Sequence, residues 1–158
     1  TGSGAIAVSL AFYVPTAQVY ATDISADALE KACENALRHN VAINFYQGDL
    51  LFPLLNEEPF DIIVANLPYI SSKEFILLDS GVKDYEPSLA LLAPGDGLDL
   101  YRRLLPQAAA LLAPGGYLML EIGHEQGSRA RELMQGWGET EIIKDLAGRD
   151  RLLKSKRE

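Results

Sequence analysis

Apolar residues along this chain come in short runs, broken by glycine, proline and acidic residues, and the runs alternate between helical and extended patterns. Ala5 to Phe12 is apolar almost throughout and reads as a buried helix opened by Gly2 and Gly4. Val19-Tyr20-Ala21-Thr22-Asp23 reads as a strand whose last residue is acidic, and Ala26 to His39 reads as a helix. Ile43-Asn44-Phe45-Tyr46-Gln47 is a further strand, ending in Gly48-Asp49-Leu50. Ile62-Ile63-Val64-Ala65 is an unbroken apolar run, the pattern of an internal parallel strand covered on both faces. Polarity then returns at Asn66, followed by Leu67-Pro68-Tyr69.

Beyond Tyr69 the chain loosens through Ser71 and Ser72 to Leu91, a natural lid or substrate-contacting loop. Asp96 to Ala113 reads as a helix, with Asp96 as its cap and Pro106 as a kink or early break. Pro114-Gly115-Gly116 is a sharp stop before the buried strand Tyr117 to Ile122. Glu125 to Gln135 reads as a helix, and Glu141 to Lys144 with Arg151 to Lys154 as two closing strands across the turn Gly148-Arg149-Asp150.

Strands alternating with helices predict an α/β fold with a mostly parallel twisted sheet, helices on both faces and an antiparallel C-terminal hairpin. In such sheets ligands bind beyond the carboxyl ends of the strands. Three of those ends carry polar residues: Asp23, Asp49 and Asn66. Gly2 and Gly4, with an acid about 20 residues further on, match the spacing of nucleoside-binding folds, in which Asp23 accepts both ribose hydroxyls. Asp49 is placed to accept from an adenine amino group while Leu50 covers the ring. Plainer readings stand beside these. Asp23 or Ser25 caps the following helix, Gly48-Asp49 is ordinary turn chemistry, and Asn66 is a turn residue. A dehydrogenase using NAD would employ Gly2, Gly4, Ala7 and Asp23, but leaves Asn66 to Tyr69 without a role.

Composition narrows the field. At 158 residues, 48% hydrophobic and 23% charged, the chain fits one domain, and no segment approaches the roughly 18 apolar residues of a membrane span. No basic residue precedes Ala5 to Val14, so a targeting segment is not expected. The net charge of −8 argues against holding nucleic acid by phosphate neutralisation. Arg149, Arg151, Lys154, Lys156 and Arg157 read as a solvated basic tail. Cys33 is the single cysteine and His39 and His124 the only histidines, which excludes an internal disulfide, makes a metal site unexpected and suits a reducing cytoplasm. Cys33 reads as core and His39 as a helix-end residue.

With the strand ends in place, the chain resembles the class I S-adenosylmethionine-dependent methyltransferases, and specifically the HemK/PrmC family of release-factor glutamine methyltransferases. Thr1-Gly2-Ser3-Gly4-Ala5-Ile6 looks like the latter part of that family's cofactor loop, and Asn66-Leu67-Pro68-Tyr69 like its Asn-Pro-Pro-Tyr. Tyr85-Glu86-Pro87 through Asp96-Gly97-Leu98 to Tyr101-Arg102 resembles the stretch that follows, and Asp145 to Arg151 the closing segment. The resemblance implies a Rossmann-like catalytic domain over residues 1–158, as a fragment lacking the first strand and an N-terminal helical substrate-recognition domain.

It implies S-adenosyl-L-methionine held by Thr1, Gly2, Gly4, Asp23, Ile24, Asp49, Leu50 and Asn66. Its methyl group goes to the side-chain amide of a glutamine in the Gly-Gly-Gln motif of a ribosome-free peptide chain release factor, in the cytoplasm. Asn66, Leu67, Pro68 and Tyr69 form the catalytic segment. Leu67 stands where the family has its first proline, and Asn-Leu-Pro-Tyr also resembles ribosomal RNA adenine dimethyltransferases. N6-adenine methylation of RNA or DNA is therefore the alternative.

Overall fold

A computed structural model describes residues 1–71, 92–93 and 95–158. The described chain divides into two compact units, Thr1–Glu57 and Glu58–Glu158.

The first unit holds α1 (Ala5–Tyr13), β1 (Tyr20–Asp23), α2 (Ala26–Arg38), β2 (Asn44–Gln47) and a single 3-10 turn at Phe52–Leu54. β1 and β2 pair in parallel, Tyr20 opposite Asn44 and Asp23 opposite Gln47, so their carboxyl ends lie side by side. α2 begins where Ser25 accepts from the Ala28 amide at 3.2 Å, an N-cap of the usual kind. It buries Ala32 and Ala36, and α1 packs on it. α1 is less buried than its composition predicts. Ala7, Val8 and Ala11 are buried, whereas Ile6, Leu10, Phe12, Tyr13 and Val14 are exposed. An apolar helix sinks only the face that a neighbour covers. Cys33 likewise is half-buried rather than core, because the alanines take the buried face of α2.

The second unit holds β3 (Phe60–Ala65), β4 (Ile70–Ser71), β5 (Leu92–Ala93), α3 (Asp99–Leu111), β6 (Leu112–Glu121), α4 (Gly127–Leu133), β7 (Thr140–Lys144) and β8 (Asp150–Lys156). Its main sheet runs β3-β6-β8-β7, with β3 and β6 parallel and the other pairs antiparallel, and β4 pairs in parallel with β5. β3 begins this strand order, so of its apolar run only Ile63 is buried, while Ile62 and Val64 are exposed. The core is formed by Leu98, Tyr101, Leu104, Ala108 and Leu111, at helical spacing along α3 and its entry, with Leu118 and Leu120 of β6, Ile122 just beyond it and Leu153 of β8. Each fully buried leucine contributes about 1.5–3 kcal/mol.

Three boundaries differ from expectation for physical reasons. α3 starts at Asp99 and runs through Pro106 to Leu111. A proline costs its own missing N–H, but Leu104, Leu105, Ala108 and Leu111 are buried on either side of it and hold the helix together. Pro114-Gly115-Gly116 does not stop the chain. It is absorbed into β6 as an irregularity, since Phe60 pairs with Leu112 but Ile62 with Tyr117. α4 is shorter than expected, beginning at Gly127. The expected lid from Ser72 to Leu91, with Tyr85-Glu86-Pro87, lies outside the described residues. No described helix is long and apolar enough to cross a membrane.

Candidate functional site

Parallel pairing makes the ends of β1 and β2 one locus. Thr22 donates its hydroxyl to the Leu50 carbonyl at 2.7 Å, and the Gly48 amide donates to the Asp23 carbonyl at 2.9 Å. The segment Gly48 to Leu50 is thereby stitched to the end of β1. Leu50 takes a left-handed conformation with φ 52°, which a leucine adopts only where its surroundings compel it.

Asp23 is the hub of this unit. One carboxylate oxygen accepts from the Gly2 amide at 2.8 Å and from the Thr1 backbone nitrogen at 2.7 Å, and the other from the Ser25 amide at 2.9 Å. Burial pushes the Asp23 carboxyl up, but the hydrogen bonds it accepts from Thr1, Gly2 and Ser25 outweigh it, and the net shift is downward. Asp23 is therefore an ionised acceptor at neutral pH. Capping of α2 falls to Ser25, which leaves Asp23 to tie the glycine loop to the strand end. Gly4 is required there. Its φ is +77°, and a Cβ would stand 2.9 Å from the Ala32 Cβ. Gly2, at φ +57°, faces open space. An anionic acceptor beside an open glycine loop, with exposed Ile24 next to it, suits the hydroxyls and apolar ring of a nucleoside.

In the second unit the tetrapeptide follows β3 directly. Asn66 is exposed, while Leu67, Pro68 and Tyr69 are half-buried. β6 runs parallel to β3, so its carboxyl end brings Glu121 to Gln126 beside this segment. β8 returns antiparallel with Glu121 opposite Leu152, which sets Arg151 at the same end. Neither consequence is visible without the register.

Tyr69 is held at both ends. Its carbonyl accepts from Gln126 Nε2 at 2.9 Å, and its hydroxyl accepts from Arg151 Nη1 at 3.2 Å. Arg151 also lies 3.5 Å from Asp145 and 3.9 Å from Glu121. The Asp145 carboxyl is held below its usual range, first by the Arg149 amide, against some desolvation and with help from the Ala147 amide and Arg151. The expected solvated basic tail is thus a strand with assigned contacts. Arg151 reaches Tyr69, Lys154 lies over the Tyr117 ring, and Arg157 donates to the Leu112 carbonyl.

Tyr101 completes the support. It is 1% exposed and donates its hydroxyl to the Glu121 carbonyl. Burial pushes that hydroxyl well above the ordinary tyrosine range, Tyr69 and Glu121 add to the shift, and the Leu67 N–H acts in the opposite sense. Asp96 does not cap α3 as the N-cap residue, which is Leu98. It accepts from the Leu98 amide and clasps Arg102 with both oxygens at 2.8 Å.

Gln126, Arg151 and Tyr101 thus surround the segment after β3, as does Gly97, where a Cβ would overlap the Tyr69 carbonyl oxygen, and pattern reading assigned none of them chemistry. The available signal was that Gly97, Tyr101 and Arg151 fall inside two of the resembling blocks. An open cleft of about 720 Å³ lined by Ser128, Arg131, Gln135 and Lys144 contains none of the expected site residues. Hydrogen bonding, rather than concavity, marks the segment after β3.

Residues 1–78 match the family model described as a methyltransferase domain. The release factor glutamine methyltransferase of Moorella thermoacetica is 50% identical over 156 residues, covering 96% of this chain and 54% of that protein. The protein of the same name from Enterococcus faecalis is 41% identical, covering 96% of this chain and 56% of its own. The chain thus spans about half the length of the curated relatives it matches. Among solved structures, a ribosomal protein L11 methylase from Lactobacillus delbrueckii subsp. bulgaricus superposes with TM-score 0.68 at 25% identity, covering all of this chain and 66% of that one. The architecture is that of a Rossmann-like class I methyltransferase.

Proposed function

We propose that the chain is the methyl-transferring part of a release factor glutamine methyltransferase, the name its relatives at 41–50% identity carry, acting on the Gly-Gly-Gln glutamine of peptide chain release factors. The observation that supports this reading most is the segment Asn66 to Tyr69. It presents an exposed carboxamide beyond β3 and ends in Tyr69, whose backbone carbonyl is held by Gln126 and whose side-chain hydroxyl is held by Arg151.

A glutamine amide nitrogen is a weak nucleophile because its lone pair is delocalised into the carbonyl. Orientation must therefore supply much of the acceleration. S-adenosyl-L-methionine, when bound, supplies a methyl group activated by its sulfonium. The side-chain oxygen of Asn66 and the carbonyl of Leu67 each accept one N–H of the substrate amide, which aims its nitrogen and stabilises the positive charge that develops there. The proton leaves after attack, so no strong base is needed. Pro68 restricts Leu67 to extended backbone, and the Tyr69 ring packs against the flat substrate group.

In the first unit, Asp23 accepts from the ribose hydroxyls, Asp49 from the adenine amino group, and Ile24 and Leu50 cover the ring. Thr1, Gly2 and Gly4 supply backbone close to the cofactor. A release factor substrate, met free of the ribosome, places this action in the cytoplasm. The net charge of −8 and the names of the relatives do not favour the adenine alternative.

The test incubates the full-length protein with S-adenosyl-L-methionine and a release factor, followed by mass spectrometry of the Gly-Gly-Gln peptide. Methylated glutamine is expected. Unmodified glutamine, under conditions where calorimetry shows the cofactor bound, would overturn the substrate assignment.

A further inference from the structure

We propose that Gln126 is a positioning residue for the methyl acceptor, fixing the backbone of the Asn66 to Tyr69 segment through the Tyr69 carbonyl; this rests on the catalytic reading of that segment. Gln126 is 5% exposed, and the described residues hold only one other buried polar side chain, Ser155. Its carboxamide meets three separate stretches of chain. Nε2 donates to the Tyr69 carbonyl at 2.9 Å and to the Asp96 carbonyl at 3.5 Å, and Oε1 accepts from the Gly123 amide at 2.9 Å. These contacts join the segment after β3, the approach to α3 and the end of β6.

The match is specific to a carboxamide. Two N–H groups face two carbonyls and one carbonyl oxygen faces one N–H, so rotating the amide by half a turn would set oxygen against oxygen. Glutamate would do the same without rotation. The surroundings are shaped to this group as well. A Cβ on Gly97 would come within 2.5 Å of Gln126 Nε2, and one on Gly123 within 3.1 Å of Oε1. Each glycine thus keeps open the space the carboxamide fills.

The consequence reaches the acceptor carbonyl of Leu67 through the chain itself. Pro68 has a fixed φ, so once the Tyr69 carbonyl is anchored, few backbone rotations remain between it and Leu67. Where the family's pattern has a further proline, Leu67 leaves φ free, and the anchor at Tyr69 compensates. Misplacement of a positioning group by about 1 Å costs on the order of a hundredfold in rate.

The experiment compares Gln126→Glu and the milder Gln126→Asn with wild type in the full-length protein, reading two quantities. The first is methylation of a release factor, in which kcat should fall about a hundredfold in Gln126→Glu, with the KM for S-adenosyl-L-methionine unchanged within about twofold. The second is amide hydrogen exchange, which should quicken at Tyr69 and Ile70 but not along β6 and β8. Wild-type kcat, or unchanged exchange at Tyr69 and Ile70, would overturn the proposal. So would loss of folding in both variants, which would make Gln126 a residue of general stability. If wild type leaves the glutamine unmodified, the catalytic reading fails separately, and exchange at Tyr69 and Ile70 still decides whether Gln126 holds the segment.

Discussion

Gly97 stands against the carbonyl of Tyr69 with no room for a side chain: a Cβ there would overlap that oxygen. Its φ of +82° is also one that an alanine adopts only under strain. Gly136 shares the conformation, at φ +85°, but faces open space. The pair separates strain from displacement. Gly136→Ala should cost about 1 kcal/mol with methylation intact, whereas Gly97→Ala should cost about 1–3 kcal/mol and reduce methylation per folded molecule at least tenfold. Thermal unfolding together with methylation rate checks this, and equal effects at the two positions would remove the steric role of Gly97.

Arg151 and the Tyr69 hydroxyl form the other anchor, at 3.2 Å. A double-mutant cycle with Tyr69→Phe and Arg151→Met should give a coupling of about 0.5–2 kcal/mol in the free energy of methyl transfer. Arg151→Lys should not restore it, because lysine keeps the charge but loses the planar fork that reaches Tyr69, Asp145 and Glu121 together. Additive single effects would show that the hydroxyl contact does not matter.

How far the sequence foretells this site follows from which contacts are local. Gly4, Asp23 and Ser25 were legible, because a glycine before a helix, an acid at a strand end and a serine N-cap are features of neighbouring residues. Asn66 was legible for the same reason, as abrupt polarity after an apolar run. Gln126 and Arg151 were not. Each reaches Tyr69 only because β6 runs parallel to β3 and β8 antiparallel to β6, and no pattern in the sequence carries that register. Arg151 also sat among five basic residues, which masked it as a tail. The burial of β3 was misread because an apolar run states what a strand tolerates, while its place in the strand order decides what covers it.

Asp96 supplies a pH test. The Arg102 guanidinium holds its carboxyl well below the usual carboxylate range, opposed by desolvation and aided by the Leu98 amide and by Arg129. A group depressed in the folded state adds stability above its unfolded value, about 3.9 for aspartate, and that stability is lost as pH falls from there toward the folded value. Asp96 is 33% exposed and Arg102 44%, so screening limits the contribution to about 1 kcal/mol or less. The difference in melting temperature between wild type and Asp96→Asn should hold steady from about pH 7 to 5 and shrink below about pH 4. A difference that instead grows on acidification would contradict the ion pair.

Asn66→Ala tests the acceptor directly. Its exposed side chain carries little of the fold, so stability should change by less than about 0.5 kcal/mol. Removing an oriented acceptor from a developing charge should lower methylation about 10²–10³-fold. Calorimetry should find cofactor affinity within a few-fold of wild type. Equal loss of affinity and turnover would move Asn66 from substrate to cofactor.

Asp23→Asn should separate the two halves of the chemistry. Asparagine has the same size, but it offers one oxygen where Asp23 uses two, accepting from Gly2 on one and Ser25 on the other. Whichever way the amide turns, its NH2 group meets a backbone N–H, so the tether of the glycine loop is broken along with the anionic acceptor for ribose. Cofactor affinity should fall at least tenfold, the loss of about 1.4 kcal/mol that one charge-assisted hydrogen bond contributes. Because the net effect of burial and hydrogen bonds lowers the Asp23 carboxyl, wild-type affinity should not change between about pH 8 and 5 on its account. Methylation at saturating cofactor should recover most of its rate, since Asn66 to Tyr69 are untouched. Wild-type cofactor affinity in Asp23→Asn would leave Asp23 as a loop tether alone.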